Sequence, residues 1–210
     1  MIFLLKIKLF PAFSRNYRMV LAFCAFLLIF SVSLGYAAWM EDPSLAKQVI
    51  DQLVSKKFSA LAVKMRATNW LGQLRIIFFN NLTATLLIII SGSLLPILPV
   101  LIGIIPNGFM IGLMAGFFEY EKVLPKSSFF LSLLPHGIFE LPAVLLSATV
   151  GMVWGARNWR SLFKDRTFFS FSSHFKKGLS FLPLIIILLI IAALMEVLVT
   201  PNLFASSQFS

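Results

Sequence analysis

A stretch of about 43 residues without one charged side chain, from Ile76 to Phe118, limits this chain more than any other feature. Helices and strands of soluble proteins alternate apolar with polar residues, so a run of this length does not fit a water-facing fold. A helix crosses the roughly 30 Å hydrocarbon layer of a bilayer with about 20 residues, and the run therefore has room for two crossings. The Ser-Gly-Ser sequence at 91–93, followed by Pro96 and Pro99, marks the predicted break between them.

The composition of the whole chain agrees with a membrane protein. Hydrophobic residues make up 59% of the 210 residues, charged residues make up 12%, and the mean hydropathy is +0.93. A soluble domain is about half apolar and a quarter charged, so this chain has too few charges to cover a water-facing surface. The net charge of +10 does not indicate nucleic acid, because the basic residues cluster beside apolar runs. The single cysteine, Cys24, excludes a disulfide within the chain.

The pattern predicts an all-α fold, a polytopic transmembrane helical bundle of about five spans, as one integral membrane domain over residues 1–210. The predicted spans are 19–39, 76–95, 97–118, 129–155 and 178–199. The basic residues before the first span also fit a signal peptide. The apolar run of the first span is longer than that of a usual signal peptide, which favours an uncleaved membrane anchor. If the break at 91–93 is a re-entrant turn and not a crossing, the count falls to four.

Polar segments between the spans predict an interfacial helix and an orientation. Segment 44–66 places apolar residues at roughly helical spacing with lysines between them, which predicts an amphipathic helix on the membrane or on a partner. The N-terminal arm and the predicted loop 156–177 together carry ten Lys and Arg and one acid, and the tail after residue 199 carries none. The positive-inside rule then predicts a multi-pass protein of the cell (inner, cytoplasmic) membrane, with its N-terminus cytoplasmic and its C-terminus outside.

Polar side chains interrupt the apolar spans at five positions, namely Asn80, Asn81, Asn107, His136 and Glu140. Ionisable groups at membrane depth cost a few kcal/mol and usually face a bundle interior or a cavity. His136 and Glu140 lie four residues apart, so a helix that begins or restarts after Pro135 presents both on one face. The pair then either joins helices by hydrogen bonds or forms a site for an ion, a proton, a lipid head group or a substrate. Asn81 also fits the N-cap of the second span.

Small residues recur every four positions in the third and fourth predicted spans. Faces of this kind let helix backbones approach closely in lipid. We predict that these two helices pack tightly, either on each other as one central core, which is the favoured alternative, or across an oligomer. The predicted helix-packing residues are Gly108, Gly112, Gly116, Gly137, Ala143, Ser147, Gly151 and Gly155.

Three motifs resemble those of the stage II sporulation protein M family. The run 134–143, Leu-Pro-His-Gly-Ile-Phe-Glu-Leu-Pro-Ala, resembles the family's signature, and Asn80-Asn81-Leu82 and Asn107-Gly108-Phe109 resemble two upstream motifs. The resemblance covers about residues 79–155 and implies a multi-span protein of the cell membrane. Family members in spore formers act in engulfment with membrane-anchored peptidoglycan-degrading partners. Relatives also occur in organisms that make no spores, so the resemblance does not imply a role in sporulation.

The leading functional hypothesis is a non-enzymatic scaffold that recruits partners in a membrane complex, with envelope or wall remodelling left to those partners. Its expected partners are the lipid bilayer and other membrane proteins or a second copy, with no nucleic acid. The alternative is a permease-like subunit for a lipid or small solute, whose ATPase is another chain because no P-loop is present. An intramembrane enzyme with His136 and Glu140 as acid and base ranks last. No catalytic residue, cofactor or metal site is predicted, since two ligands are too few for a zinc centre.

Overall fold

The computed structural model describes residues 14–53, 63–65, 67–120, 126–165 and 178–199, with side chains from 137 to 163 in the fourth of these ranges. Every regular element in these ranges is a helix, which confirms the predicted all-α class. The main helices in chain order are α1 (Arg15–Glu41), α2 (Pro43–Leu53), α3 (Trp70–Leu94), α4 (Val100–Tyr120), α5 (Lys126–Asp165) and α6 (Leu182–Leu198). Helix α4 opens with a π-helical turn, Val100–Ile104, and continues as an α-helix from Ile105 to Tyr120.

Length and exposed surface together make this a membrane-spanning bundle of about five helices. Helices α1, α3, α4 and the Gly137–Phe163 part of α5 are long and apolar enough to cross a bilayer. Helix α6, with 17 residues, is at the lower limit of about 17–25 residues for a crossing. Large apolar side chains stand on the outside, for example Phe26 at 62% and Ile90 at 55% exposure. Such an exterior is favourable against lipid tails and unfavourable against water.

The glycine ladder of α4 packs against α1. A Cβ atom added to Gly108 would lie 2.6 Å from the carbonyl oxygen of Leu28, and one added to Gly116 would lie 2.6 Å from Cγ of Trp39. One added to Gly112, between them, would collide with the backbone of α1. Residue numbers rise together on the two helices, so α1 and α4 run in the same direction.

The second ladder packs α5 against α3. A Cβ atom on Gly151 would lie 2.9 Å from the carbonyl oxygen of Ile88, and one on Gly155 would overlap the carbonyl of Gly92. Numbers again rise together, so α3 and α5 are parallel to each other. The other predicted packing residues that are buried on α5 are Gly137, Ala143 and Ser147.

The prediction that the two ladders pack on each other is wrong. Each ladder faces a different helix, and both seams lie within one chain. Small residues show where another helix backbone can approach closely, but they do not show which helix packs there. Helices α4 and α5 instead share a central cluster of larger side chains that includes Ile104, Val144 and Leu28.

Contacts near the chain's first helix fix the remaining directions. Tyr17 at the start of α1 lies under Arg157 near the end of α5, and its ring stacks on Phe181 just before α6. Further along, Cys24 Sγ lies 3.6 Å from Sδ of Met152. Helices α1, α4 and α6 therefore run one way, and α3 and α5 run the other way. This alternation is what successive membrane crossings require.

Proline, and not glycine, ends α3. The sequence 91–93 does not itself interrupt the helix, because α3 continues through Gly92 to Leu94, and the break falls at Pro96, between the predicted spans 76–95 and 97–118. Leu95 has an extended backbone with φ −131° and ψ 115°, as expected for a residue whose helical conformation clashes with the ring of a following proline, Pro96. The turn occupies 95–97 and separates two helices that are each long enough to cross.

Helix α5 is longer at both ends than predicted. It starts at Lys126, three residues before the predicted span 129–155, so the alternative in which the helix begins at His136 is wrong, and Pro135 and Pro142 lie inside the helix. Membrane helices tolerate interior prolines because neighbouring groups re-satisfy the freed carbonyls. The predicted loop 156–177 is also wrong in its first part, since α5 continues to Asp165. Residues 166–177 lie outside the described residues.

Candidate functional site

Asn107 lies on the inward side of α4, three residues after the end of the π-helical turn. Its half-buried side chain donates a hydrogen bond from Nδ2 to the carbonyl oxygen of Gly103 at 2.7 Å. Pro106, the preceding residue, has no backbone N–H to donate within the helix. Ile104, one turn earlier, is 0% exposed and belongs to the central cluster. π-Helical turns often mark functional positions in membrane and soluble helices.

Glu140 lies on α5. It is half-buried and stands one turn before Val144, which shares the central cluster with Ile104. Helices α4 and α5 run in opposite directions. Asn107 follows Ile104 on α4 and Glu140 precedes Val144 on α5, so both polar residues lie on the same side of the central cluster, toward the same end of the bundle. His136 falls outside the described side chains, so the predicted pairing of His136 with Glu140 stays a prediction.

The two neighbouring asparagines of α3 face different ways. Asn81 is half-buried. Ile77 and Thr85, which lie one turn before and one turn after it on the same face of α3, are buried. Asn80 is exposed on the outer side and donates from Nδ2 to Oδ1 of Asn81 at 3.4 Å. Of the five predicted polar residues, Asn81, Asn107 and Glu140 lie inward among the described side chains, one from each of three helices.

The N-cap prediction for Asn81 is wrong. Helix α3 begins at Trp70, more than two turns earlier, and Asn69 is its N-cap. The Asn69 side-chain oxygen accepts a hydrogen bond from the backbone N–H of Gly72 at 2.9 Å. The polarity of 69–75 hid this start, because the helix begins before its apolar run does.

Amides and a carboxylate at membrane depth supply both hydrogen-bond donors and acceptors. Such a set can hold a cation, a proton or a polar head group. Among the residues whose side chains are described, no three of His, Cys, Asp and Glu come close enough together to hold a metal ion.

The sequence did not point to a polar contact that closes the end of α3. Asn158 is 3% exposed and donates from Nδ2 to the carbonyl oxygen of Ser93 at 3.2 Å, and Trp159 Nε1 donates to the carbonyl of Leu94. These are carbonyls in the last turn of a helix, which have no partner within it. Position 158 continues the face of the ladder residue Gly155, three residues earlier, and that spacing was the available signal.

Trp39 and helix α2 form the opposite end of the bundle. Trp39 is 1% exposed, and its ring meets that of Phe117 edge to face, with the ring centroids 5.6 Å apart. Its cluster includes Ala46 and Ile50 of α2 and Leu113 of α4. Helix α2 is thus held on the bundle by one side. It covers the first part of the predicted amphipathic segment, and residues 54–62 lie outside the described residues.

Asp42 caps the start of α2. Its Oδ1 accepts from the backbone N–H of Leu45 at 3.0 Å and from Oγ of Ser44 at 2.7 Å. These hydrogen bonds, that from Leu45 first, stabilise the charged form and hold the pKa of the carboxyl below its ordinary value. Pro43 follows at the first helical position, where its missing N–H costs nothing.

An apolar exterior, alternating helices and polar side chains at depth define the class of protein: this is an α-helical integral membrane protein. Within that class, the chain belongs to the Stage II sporulation protein M family, whose model matches residues 21–201. The resemblance drawn from the three sequence motifs is thereby confirmed. The chain is also 32% identical over 127 residues to an uncharacterized protein of Methanocaldococcus jannaschii, MJ0793, a match that covers 60% of this chain and 70% of that protein. No solved structure matches the chain.

Proposed function

We propose that the protein is a non-enzymatic scaffold that recruits other proteins into a membrane complex. The observation that carries the proposal is the placement of α2. Ala46 and Ile50, with 5% and 3% exposure, anchor it to the bundle, and its polar side, with Lys47, Gln48 and Asp51, is exposed. A short helix fixed in this way presents a rigid charged surface beside the lipid, which suits partner recognition because little ordering entropy is lost on binding.

The charge distribution supports a cytoplasmic N-terminus for this proposal. We name the end of the bundle that carries Arg15, Arg18, Arg157 and Arg160 the arginine end. The other end, the α2 end, carries both signs: the acids described there are Glu41, Asp42, Asp51, Glu119 and Glu196, and the bases are Lys47, Lys64 and Arg75. The positive-inside rule assigns the arginine end to the cytoplasm, which puts α2 outside the cell membrane. Partners that remodel the envelope or wall would meet the scaffold on that side.

A charge swap on α2 tests the scaffold. Lys47→Asp combined with Asp51→Lys keeps opposite charges four residues apart, so the helix itself is preserved. A partner that reads this surface meets like charges, and its recovery by pull-down from native membranes is expected to fall at least tenfold, which corresponds to about 1.4 kcal/mol. The matched control is Lys47→Arg with Asp51→Glu, which conserves both charges and should retain the partner. Unchanged recovery with the swap, or no stable partner for the wild type, contradicts the proposal.

A permease-like subunit for a lipid or small solute is the second candidate. The inward placement of Asn81, Asn107 and Glu140 favours it, with a π-helical turn ending three residues before Asn107, because interrupted helices with polar groups are common at transport sites. Glu140→Gln removes the charge and nearly keeps the volume. If the site transports, flux into vesicles falls while the pulled-down partners stay the same; if both Glu140→Gln and His136→Ala lose a partner, the polar motif shapes a binding surface instead.

A further inference from the structure

Arg157 is held in place at the arginine end by a stack of aromatic rings. The guanidinium carbon lies 5.4 Å from the ring centroid of Tyr17, a cation–π contact. Tyr17 is 4% exposed, and its ring stacks on Phe181 with centroids 4.9 Å apart. Phe181, just before α6, thus supports the Tyr17 ring of α1 on which the Arg157 side chain of α5 lies. An immobilised guanidinium binds an anion with little loss of side-chain entropy.

The arginines at this end lack acidic partners among the described residues. Arg15, Arg18 and Arg160 are exposed, and Arg157 is half-exposed. The acidic side chains that the structure describes lie at the α2 end or, for Glu140, seventeen residues before Arg157 on α5. The sequence adds one acid near this end, Asp165, whose side chain is outside the described set. Four guanidinium groups therefore surround the edge of the apolar bundle with an excess of positive charge.

We propose that the arginine end binds the phosphate groups of anionic phospholipids, with Arg157 as the fixed contact and Arg15, Arg18 and Arg160 as the outer contacts. Guanidinium groups pair with phosphate through two parallel N–H···O bonds. The site lies where an apolar surface meets the ends of membrane helices, so a lipid satisfies it with its head group and its acyl chains at once. Basic pockets between helices on the cytoplasmic side have this preference for anionic head groups. The occupant is therefore a lipid and not free phosphate.

Native mass spectrometry of the full chain in detergent tests the site. We expect the wild type to retain palmitoyl-oleoyl phosphatidylglycerol in preference to the corresponding phosphatidylcholine. Arg157→Gln and Arg160→Gln should each weaken retention roughly fivefold, and the double variant should combine the two effects. Arg160 is exposed, so its variant keeps the fold even if loss of Arg157 disturbs the aromatic stack. Asp165→Asn should strengthen retention, because it removes the one nearby acid.

Arg75→Gln is the matched control. Arg75 is an exposed arginine of α3 at the α2 end, so its variant removes the same charge from the opposite side and should retain the lipid like the wild type. Equal loss with Arg75→Gln would show diffuse attraction and no site. Equal retention of phosphatidylcholine, full displacement of the lipid by inorganic phosphate, or weaker retention with Asp165→Asn would each overturn the proposal.

Discussion

Replacing Gly112 with alanine places one methyl group in the seam between α1 and α4. The new Cβ would lie 2.7 Å from the backbone nitrogen of Tyr36 and closer still to the carbonyl of Val32. Both obstacles are backbone atoms, which cannot rotate aside as a side chain does. The helices must then separate by about 1 Å, a gap that forfeits a quarter to a half of each dispersion contact along the seam.

The expected cost follows from this separation. Overpacking of a close-packed interior costs about 1–3 kcal/mol, and the alanine returns less than about 1 kcal/mol in helix propensity. A net loss of about 1–2 kcal/mol lowers the thermal midpoint by about 2–8 °C for a chain of this size. Thermal unfolding in detergent, followed by circular dichroism at matched protein and detergent concentrations, measures this shift.

Two other glycines provide graded controls for the same assay. Gly103→Ala meets Cδ1 of Ile88 at 2.7 Å, the movable end of a side chain, so its cost should be smaller. Gly178→Ala meets only Cγ1 of Val150 at 3.3 Å, and its midpoint should stay within about 2 °C of the wild type. A Gly112→Ala midpoint equal to or above that of the wild type would refute the close approach of α1 and α4.

Three further predictions concern single polar contacts. Asp42→Asn should keep the cap of α2 at neutral pH, because Asn caps a helix as well as Asp. As the pH falls through the lowered pKa of the Asp42 carboxyl, the wild type should lose cap stability and the variant should not. Hydrogen exchange of the α2 amides at acid and neutral pH measures the difference. Asn158→Asp puts a carboxylate beside the negative end of α3 and should lower the free energy of unfolding by about 3 kcal/mol or more. Asn158→Leu should lower it by less than about 1.5 kcal/mol. The opposite order of the two losses would contradict the capping role of Asn158. Ser31 donates to the carbonyl of Ile105 at 2.7 Å, and Ser31→Ala should lower stability by about 0.6 kcal/mol in equilibrium unfolding, whereas a loss above about 2 kcal/mol would show a larger role.

Local patterns predicted the membrane class because each rests on residues close together in the sequence. A 43-residue run without a charged side chain predicts a membrane environment, since charges at membrane depth cost free energy and are rare there. The first span, predicted as 19–39, lies within the observed α1 (Arg15–Glu41), and the motifs around Asn81, Asn107 and Glu140 indicated the family. Helix ends were predicted less well, because an apolar run begins after its helix does, as at Trp70, or ends before it does, as at Asp165.

The partners of the polar and small residues could not be read from the sequence. Asn80 and Asn81 are adjacent, and only the rotation of α3 in the bundle turns one outward and the other inward. Asn158 looked like part of a loop until the end of α3 supplied the carbonyl that it binds. The carbonyl that Asn158 binds belongs to a residue 65 positions away in the chain. The spacing of nearby residues carries no information about so distant a partner.

The sequence by itself determined that the chain is a helical membrane protein, which segments are apolar enough to cross, and which glycines allow close approach. The physical reason is that hydrocarbon requires each helix to satisfy its own backbone and to keep charge at its ends. The tertiary structure alone decided that Gly112 meets α1 and Gly155 meets α3. It also brought Tyr17, Arg157 and Phe181 together at one end. Packing between apolar helices in lipid is chosen by shape over long sequence separations, and shape exists only once the bundle has formed.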